Sequence, residues 1–222
     1  LERAGEQSWS WIDAGSAANQ HKSFVRVRSS YIFGADEDSP IAPENYNPVQ
    51  ELTFLSNVSL AILKHESALC YFNPNGEVLL SEALLASSLE HSQKHEIPPL
   101  DVWANVRLYN ISEKWALMDC VGNWQLDIPD LEVVFPQDSI NLQAIDEFIR
   151  NLSLYLFDSG AVIGDGDTVD GPDGKKWQGF TYEDSLASPP RHVIRWVPAE
   201  HDSIPEELNP KAKPKKKRWK LW

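Results

Sequence analysis

Asp101-Val-Trp-Ala-Asn-Val-Arg-Leu-Tyr109 is the stretch on which the reading of the fold turns. Val102, Ala104, Val106 and Leu108 alternate with Trp103, Asn105, Arg107 and Tyr109. That two-residue period belongs to a half-buried strand. Residues 114–121 and 131–135 carry two more strand patterns. Three strands in close succession predict an antiparallel middle section.

Upstream, Asn47-Pro48-Val49-Gln50 reads as a helix start, with Asn as cap, Pro in the first turn and Gln where a capping box places it. Leu52, Leu55, Val58 and Ile62 then recur at helical spacing, and Lys64 and His65 close the helix. Ala68-Leu-Cys-Tyr-Phe72 is apolar on both faces and predicts a buried central strand before the turn Asn73-Pro-Asn-Gly76. Ser81 opens a second helix with Leu84, Leu85 and Leu89, ending near His95 before Pro98-Pro99. Near the start, His21-Lys-Ser-Phe-Val-Arg-Val-Arg-Ser29 alternates around Val25 and Val27 and predicts a strand. Asp36-Glu-Asp-Ser-Pro40 reads as an acidic loop.

Downstream, Asp138 or Ser139 is the expected cap of a third helix, with Leu142, Ile145, Ile149, Leu152 and Leu156 as its stripe and Gly160 as its stop. Ala161-Val-Ile163, an aspartate-rich loop and a last strand near His192 to Val197 follow. The expected class is α+β: a mixed, largely antiparallel sheet covered by about three helices over residues 1–198, then a polar linker and a disordered basic tail over 199–222.

Charge narrows the partners. Seven of the 20 basic residues fall in the last 12 positions, leaving 13 basic against 33 acidic residues over 1–210, a formal charge of −20. Such a body repels phosphate backbones and attracts a basic protein. Nucleic acid or anionic membrane is expected to touch only the tail, through Lys215, Lys216, Lys217, Arg218 and Trp219. No apolar run approaches the ~18–20 residues of a spanning helix. Cys70 and Cys120 sit inside apolar runs and read as reduced core thiols in a cytoplasmic setting. Of the nine tryptophans, Trp103, Trp115, Trp124, Trp177 and Trp196 are expected in the core.

Reactive constellations are sparse. Four aspartates, at 165, 167, 170 and 173, crowd one loop, and hard cations take such oxygens. An EF-hand pattern fails, however, because Asp170 stands where its glycine belongs. Turn geometry from Gly166, Gly171 and Gly174, with aspartates bonding their own backbone, is the competing and favoured reading. His91 and His95 share a helix face without the glutamate of a zincin, since Ser92 follows His91. Neither a nucleophile elbow nor a phosphate loop is present. No cofactor and no catalytic residue is expected.

Three segments resemble a bacterial family of unknown function: His21-Lys-Ser-Phe-Val-Arg-Val, Leu156-Phe-Asp-Ser-Gly160 and Ala161-Val-Ile-Gly-Asp-Gly-Asp-Thr-Val169. The likeness spans roughly 9–198, with Asp165, Gly166, Asp167 and Thr168 as its motif and Asp170 where a small residue would be usual. Some members resemble components of secretion and toxin–immunity loci, which implies a binding role. The leading expectation is therefore a non-enzymatic protein-binding domain, of immunity or secretion type. A metal-dependent enzyme or sensor using residues 165–173, and a body tethered by its tail, are the alternatives.

Overall fold

In chain order, the computed structural model carries α1 (Glu2–Glu6), α2 (Ala14–Ala18), α3 (Pro48–Leu63), β1 (Tyr71–Asn73), β2 (Val78–Leu80), α4 (Glu82–His95) and α5 (Leu100–Trp103). Next come β3 (Asn105–Asn110), β4 (Trp115–Val121), β5 (Asp130–Pro136), α6 (Leu142–Ser159), β6 (Thr168–Asp170), β7 (Lys176–Tyr182) and β8 (Val193–Pro198). The structure describes residues 1–137, 140–200, 204, 205 and 208. A six-stranded sheet runs β3-β4-β5-β8-β7-β6, and β1 with β2 forms a separate hairpin. Only the β5–β8 pairing is parallel among the described strands. The chain is thus α+β with a mixed, largely antiparallel sheet, as its patterning predicts.

Strand alternation gives the large sheet two unlike faces. One face presents Met118, Cys120, Leu131, Val133, Phe135, Ile194 and Trp196 to the main core, where Ile145, Ile149, Leu152 and Leu156 of α6 meet them. These four lie at three- and four-residue steps, so the helix turns one continuous stripe inward. Asn141 caps α6, its side chain accepting from Gln143 N–H at 2.9 Å; Asp138 and Ser139 lie outside the described residues. The opposite face carries a smaller cluster of Trp115, Leu117, Val134 and Val197, with Ile204 and Leu208 packed against it.

α3 and α4 begin where expected, with Asn47 accepting from Gln50 N–H and Ser81 accepting from Leu84 N–H. The buried face of α3 differs from the predicted stripe. Val49, Leu52, Leu60 and Leu63 face the core, Ser56 is buried with them, and Ile62 is exposed. Ser56 is buried because its hydroxyl receives the indole N–H of the fully buried Trp103 at 3.0 Å. Around Trp103 the backbone is so crowded that only glycine fits at two neighbouring positions. A Cβ on Gly76 would lie 1.9 Å from the Trp103 carbonyl oxygen, and one on Gly122, at φ +121°, 2.4 Å from it.

Several local expectations are corrected. The alternating segment at residues 21–29 is irregular, with Phe24 and Val25 exposed, and among the described residues no strand pairs with it. Tyr71 and Phe72 belong to a short two-stranded hairpin rather than a central strand. The first half of the 101–109 stretch coils into α5, because Pro99 starts a helical turn that seats Trp103; β3 begins only at Asn105. Residues 161–163 form no strand, while the aspartate-rich loop contains β6, paired with β7, which the patterning does not reveal. Trp124 is exposed; Trp103, Trp115, Trp177 and Trp196 are core.

Candidate functional site

The four loop aspartates are separately engaged. Asp165 accepts from Thr181 N–H at 2.8 Å, and Asp167 accepts from Gly164 N–H at 2.7 Å. Asp173 accepts from Lys175 N–H and from the Trp177 indole, at 3.1 and 2.9 Å. Asp170 pairs with Lys176 across the hairpin at 2.7 Å. Gly166 adopts φ +97° to make the turn, and Thr168 begins β6. Asp173 makes an Asx turn, and the other three hold the loop and its hairpin through a backbone N–H or a cross-strand ion pair. Among the described residues no group of three or more His, Cys, Asp and Glu is placed to hold a metal ion.

The His91 and His95 rings lie against each other, tilted, with 4.4 Å between centroids. His91 also borders a groove of about 260 Å³ with Ser88 and Asp101. The Ser88 hydroxyl donates to the Asp101 carboxylate, so it is not oriented by the imidazole as a nucleophile would be. Burial raises the thiol pKa of Cys120, which accepts from Leu131 N–H at 3.0 Å; burial also raises that of Cys70. Such thiols are poor nucleophiles. Lys215, Lys216, Lys217, Arg218 and Trp219 lie outside the described residues, as does His201.

What the sequence reading missed is a row of charge beneath the sheet's second face. Arg107, Asp119, Glu132 and Arg195 occupy directly opposed positions on β3, β4, β5 and β8. All four are buried. Arg107 makes a two-pronged contact with Asp119, at 3.0 and 2.6 Å, and Arg195 Nε donates to Glu132 at 2.9 Å. At the ends, the guanidinium groups lie over Tyr109 and Tyr182, at 5.3 and 3.9 Å from the ring centroids. Glu77 bridges Arg107 to Arg3 at one edge.

Arg191 enters this row from the loop between β7 and β8. It donates to Asp119 and Asp130, both at 2.6 Å, and to the Cys120 carbonyl at 2.9 Å. Its third nitrogen holds Ser185 Oγ and the carbonyls of Ala187 and Pro189, each at 3.0 Å. Glu132 receives Leu186 N–H at 2.6 Å, and Arg107 donates to the Ser188 carbonyl at 2.9 Å. Burial pushes Asp130 up to about 6 despite Arg191 beside it, and also raises Glu132 against the pull of Arg195. Burial acts in the same sense on Glu77, but Arg3 and Arg107 outweigh it and hold that carboxyl below its usual range. With four arginines facing four carboxylates, the row is self-neutralised, and its work is to fasten the 183–191 loop over the sheet.

The surface offers a different kind of site. Residues 31–46 leave the body and return to it as a loop whose base is closed by Tyr31 and Tyr46, edge to face at 5.9 Å. A bond to Glu51 raises the Tyr31 pKa, tying the base to α3, and burial raises that of Tyr46. Inside it, Ser39 N–H donates to the Asp36 carbonyl at 3.0 Å, and Gly34 takes φ +76°. The loop carries Ile32, Phe33 and Ile41 outward, with Phe33 97% and Ile41 83% exposed, on either side of Asp36, Glu37 and Asp38. A closed loop of this length with its large apolar side chains turned to solvent has the anatomy of a contact surface.

The family model for a domain of unknown function, DUF4261, matches residues 119–197, a little over a third of the chain. The expected likeness to a family of unknown function is thus met, over a shorter span than 9–198. The span contains Asp119, Asp130, Glu132, Arg191 and Arg195, together with the Asp165 to Thr168 motif. No curated protein and no solved structure matches the chain.

Proposed function

We propose that this chain is a protein-binding domain that uses the 31–46 loop to take a partner with a basic surface and an apolar recess. The observation that carries the reading is the exposure of Phe33 and Ile41 around three acidic residues, on a loop whose base is fixed. Solvated aromatic and aliphatic groups of this size stabilise little in a lone chain and become anchors when a partner desolvates them. The formal −20 of residues 1–210 supplies long-range attraction for a basic partner and speeds the encounter. An immunity-type or secretion-associated factor of the cytoplasm, neutralising or escorting a basic protein, is the form that best agrees with this charge and with two unpaired cysteines. No helix among the described residues is long and apolar enough to cross a membrane.

The test is site-specific photocrosslinking in the native host, with the reactive residue at position 33 and, as a control, at the exposed position 155 on α6. A discrete adduct with a basic protein is expected from position 33 alone, and Ile41→Asp should abolish it. Absence of any adduct from position 33, or an adduct pattern shared with position 155, would overturn the proposal.

A further inference from the structure

The two edges of the six-stranded sheet are finished differently. On β3 the Gln7 side chain imitates a neighbouring strand: its carbonyl accepts from Leu108 N–H at 3.0 Å and its amide donates to the Leu108 carbonyl at 3.2 Å. On β6, Gly179 N–H donates to the Asp167 carbonyl at 2.9 Å and Gly171 N–H to the Lys175 carbonyl at 2.7 Å. Antiparallel ladders alternate bonded and non-bonded pairs, so Val169, opposite Trp177, is the bonded position between these two. The backbone N–H and C=O groups of Thr168 and Asp170 therefore point away from β7, and both residues are exposed. An open edge of this kind is a template for another strand.

A segment of fitting, strand-forming character lies elsewhere in the chain. Residues 22–28, Lys-Ser-Phe-Val-Arg-Val-Arg, have the alternation and β-branched content of a strand and no acidic residue. Phe24 is 77% and Val25 74% exposed. In an extended conformation, Lys22, Phe24, Arg26 and Arg28 project to one side and Ser23, Val25 and Val27 to the other. The hairpin around β6 carries Asp165, Asp167, Asp170 and Asp173 against only Lys175 and Lys176. A cationic, strand-competent segment and an acidic open edge thus belong to the same molecule, unpaired with one another.

We infer that residues 22–28 of one copy add to the outer edge of β6 in a second copy, so that the protein associates with itself by strand addition. Main-chain bonds at Thr168 and Asp170 supply the pairing, and the basic side chains beside the aspartates select the edge. Because the bonded edge is short and the charges are solvated, the association is weak and sensitive to salt. The inference uses residues distinct from the 31–46 loop and stands apart from the reading of that loop.

Sedimentation velocity on the purified full chain, over about a hundredfold range of concentration at low and high salt, tests it. A concentration-dependent dimer is expected at low salt, weakened at least about tenfold at high salt. Arg26→Glu with Arg28→Glu should abolish the dimer, as should Val25→Pro, which removes a backbone donor. None of these should lower the melting temperature, since the segment packs against no core. Asp170→Lys should also abolish it, and mixing that variant with the Arg26→Glu, Arg28→Glu protein should restore a heterodimer. A monomer at every concentration and both salts would overturn strand addition while leaving the loop proposal intact; so would a dimer that none of these variants disturbs.

Discussion

Arg191→Ala is the most informative perturbation of the buried row, because the side chain serves two carboxylates and a loop at once. Asp119 keeps its two-pronged contact with Arg107, so it is not orphaned. Asp130 loses its ion-pair partner and retains only the N–H groups of Gly122 and Asn123, at 3.0 and 2.7 Å. Removing one member of a buried pair costs about 3–5 kcal/mol. With these two donors remaining, the lower end applies, about 3 kcal/mol near neutral pH, or about 6–12 °C in melting temperature for a chain of this size. The sign with pH follows from Asp130. Its folded pKa, about 6, lies above the ordinary 3.8, so the folded state holds a proton that the unfolded chain has released, and stability falls as pH rises through that window. Without Arg191 the carboxyl moves further upward, and its ionisation is resisted across a wider range. The penalty of Arg191→Ala is therefore expected to be about 3 kcal/mol at pH 7.5 and at least about 1 kcal/mol smaller at pH 5, where Asp130 is neutral. Adding Asp130→Asn should recover a similar amount at pH 7.5. Denaturant unfolding followed by circular dichroism measures the unsubstituted chain and Arg191→Ala at both pH values and the double variant at pH 7.5. Equal penalties at the two pH values, with no recovery in the double variant, would refute the assignment of the cost to an uncompensated carboxylate.

Two further outcomes are expected. Millimolar calcium or magnesium should leave the melting temperature unchanged, since each loop aspartate already serves its own local partner; a rise that Asp165→Asn with Asp167→Asn removes would reinstate the metal reading. Gly122→Ala should lower the denaturant midpoint by more than about 1 kcal/mol of stability with an unchanged slope, because φ +121° and the Trp103 carbonyl both exclude a Cβ; an unchanged midpoint would show that this junction relaxes freely.

Elements with their own local signals were legible. Asn47 and Ser81 cap the helices they announce, and the α6 stripe from Ile145 to Leu156 lies where its spacing puts it. Two kinds of element were not. At residues 101–104 the alternation of small and large apolar groups fits a strand and a buried helical turn equally well, and only the packing of Trp103 against Ser56 and the two glycines decides between them. At residues 21–29 alternation reports competence for a sheet, not possession of a neighbour. A strand exists only where another strand offers its edge, and nothing local encodes that.

The charged row was hidden for a related reason. Alternation alone placed Arg107 opposite the apolar positions of its strand, which is geometrically right but does not say whether that side is buried. The available signal lay in the other strands: Asp119 in Ala-Leu-Met-Asp-Cys-Val, Glu132 in Leu-Glu-Val-Val-Phe, and Arg195 in Val-Ile-Arg-Trp-Val are single charges flanked by apolar residues. A lone charge in such a setting either faces water or finds a counter-charge, and three of them at matching depth in neighbouring strands point to the second outcome. The match to the family model holds five members of the row, but Arg107, Glu77 and Arg3 come from outside it, so the span from 119 to 197 draws its charge balance from the preceding segment. The surfaces proposed for contact, residues 22–28, 31–46 and the outer edge of β6, make no part of the row. Substitutions there should change what the protein binds without changing how it is held together, because the ion pairs that fasten the fold and the groups offered to partners are carried by different residues.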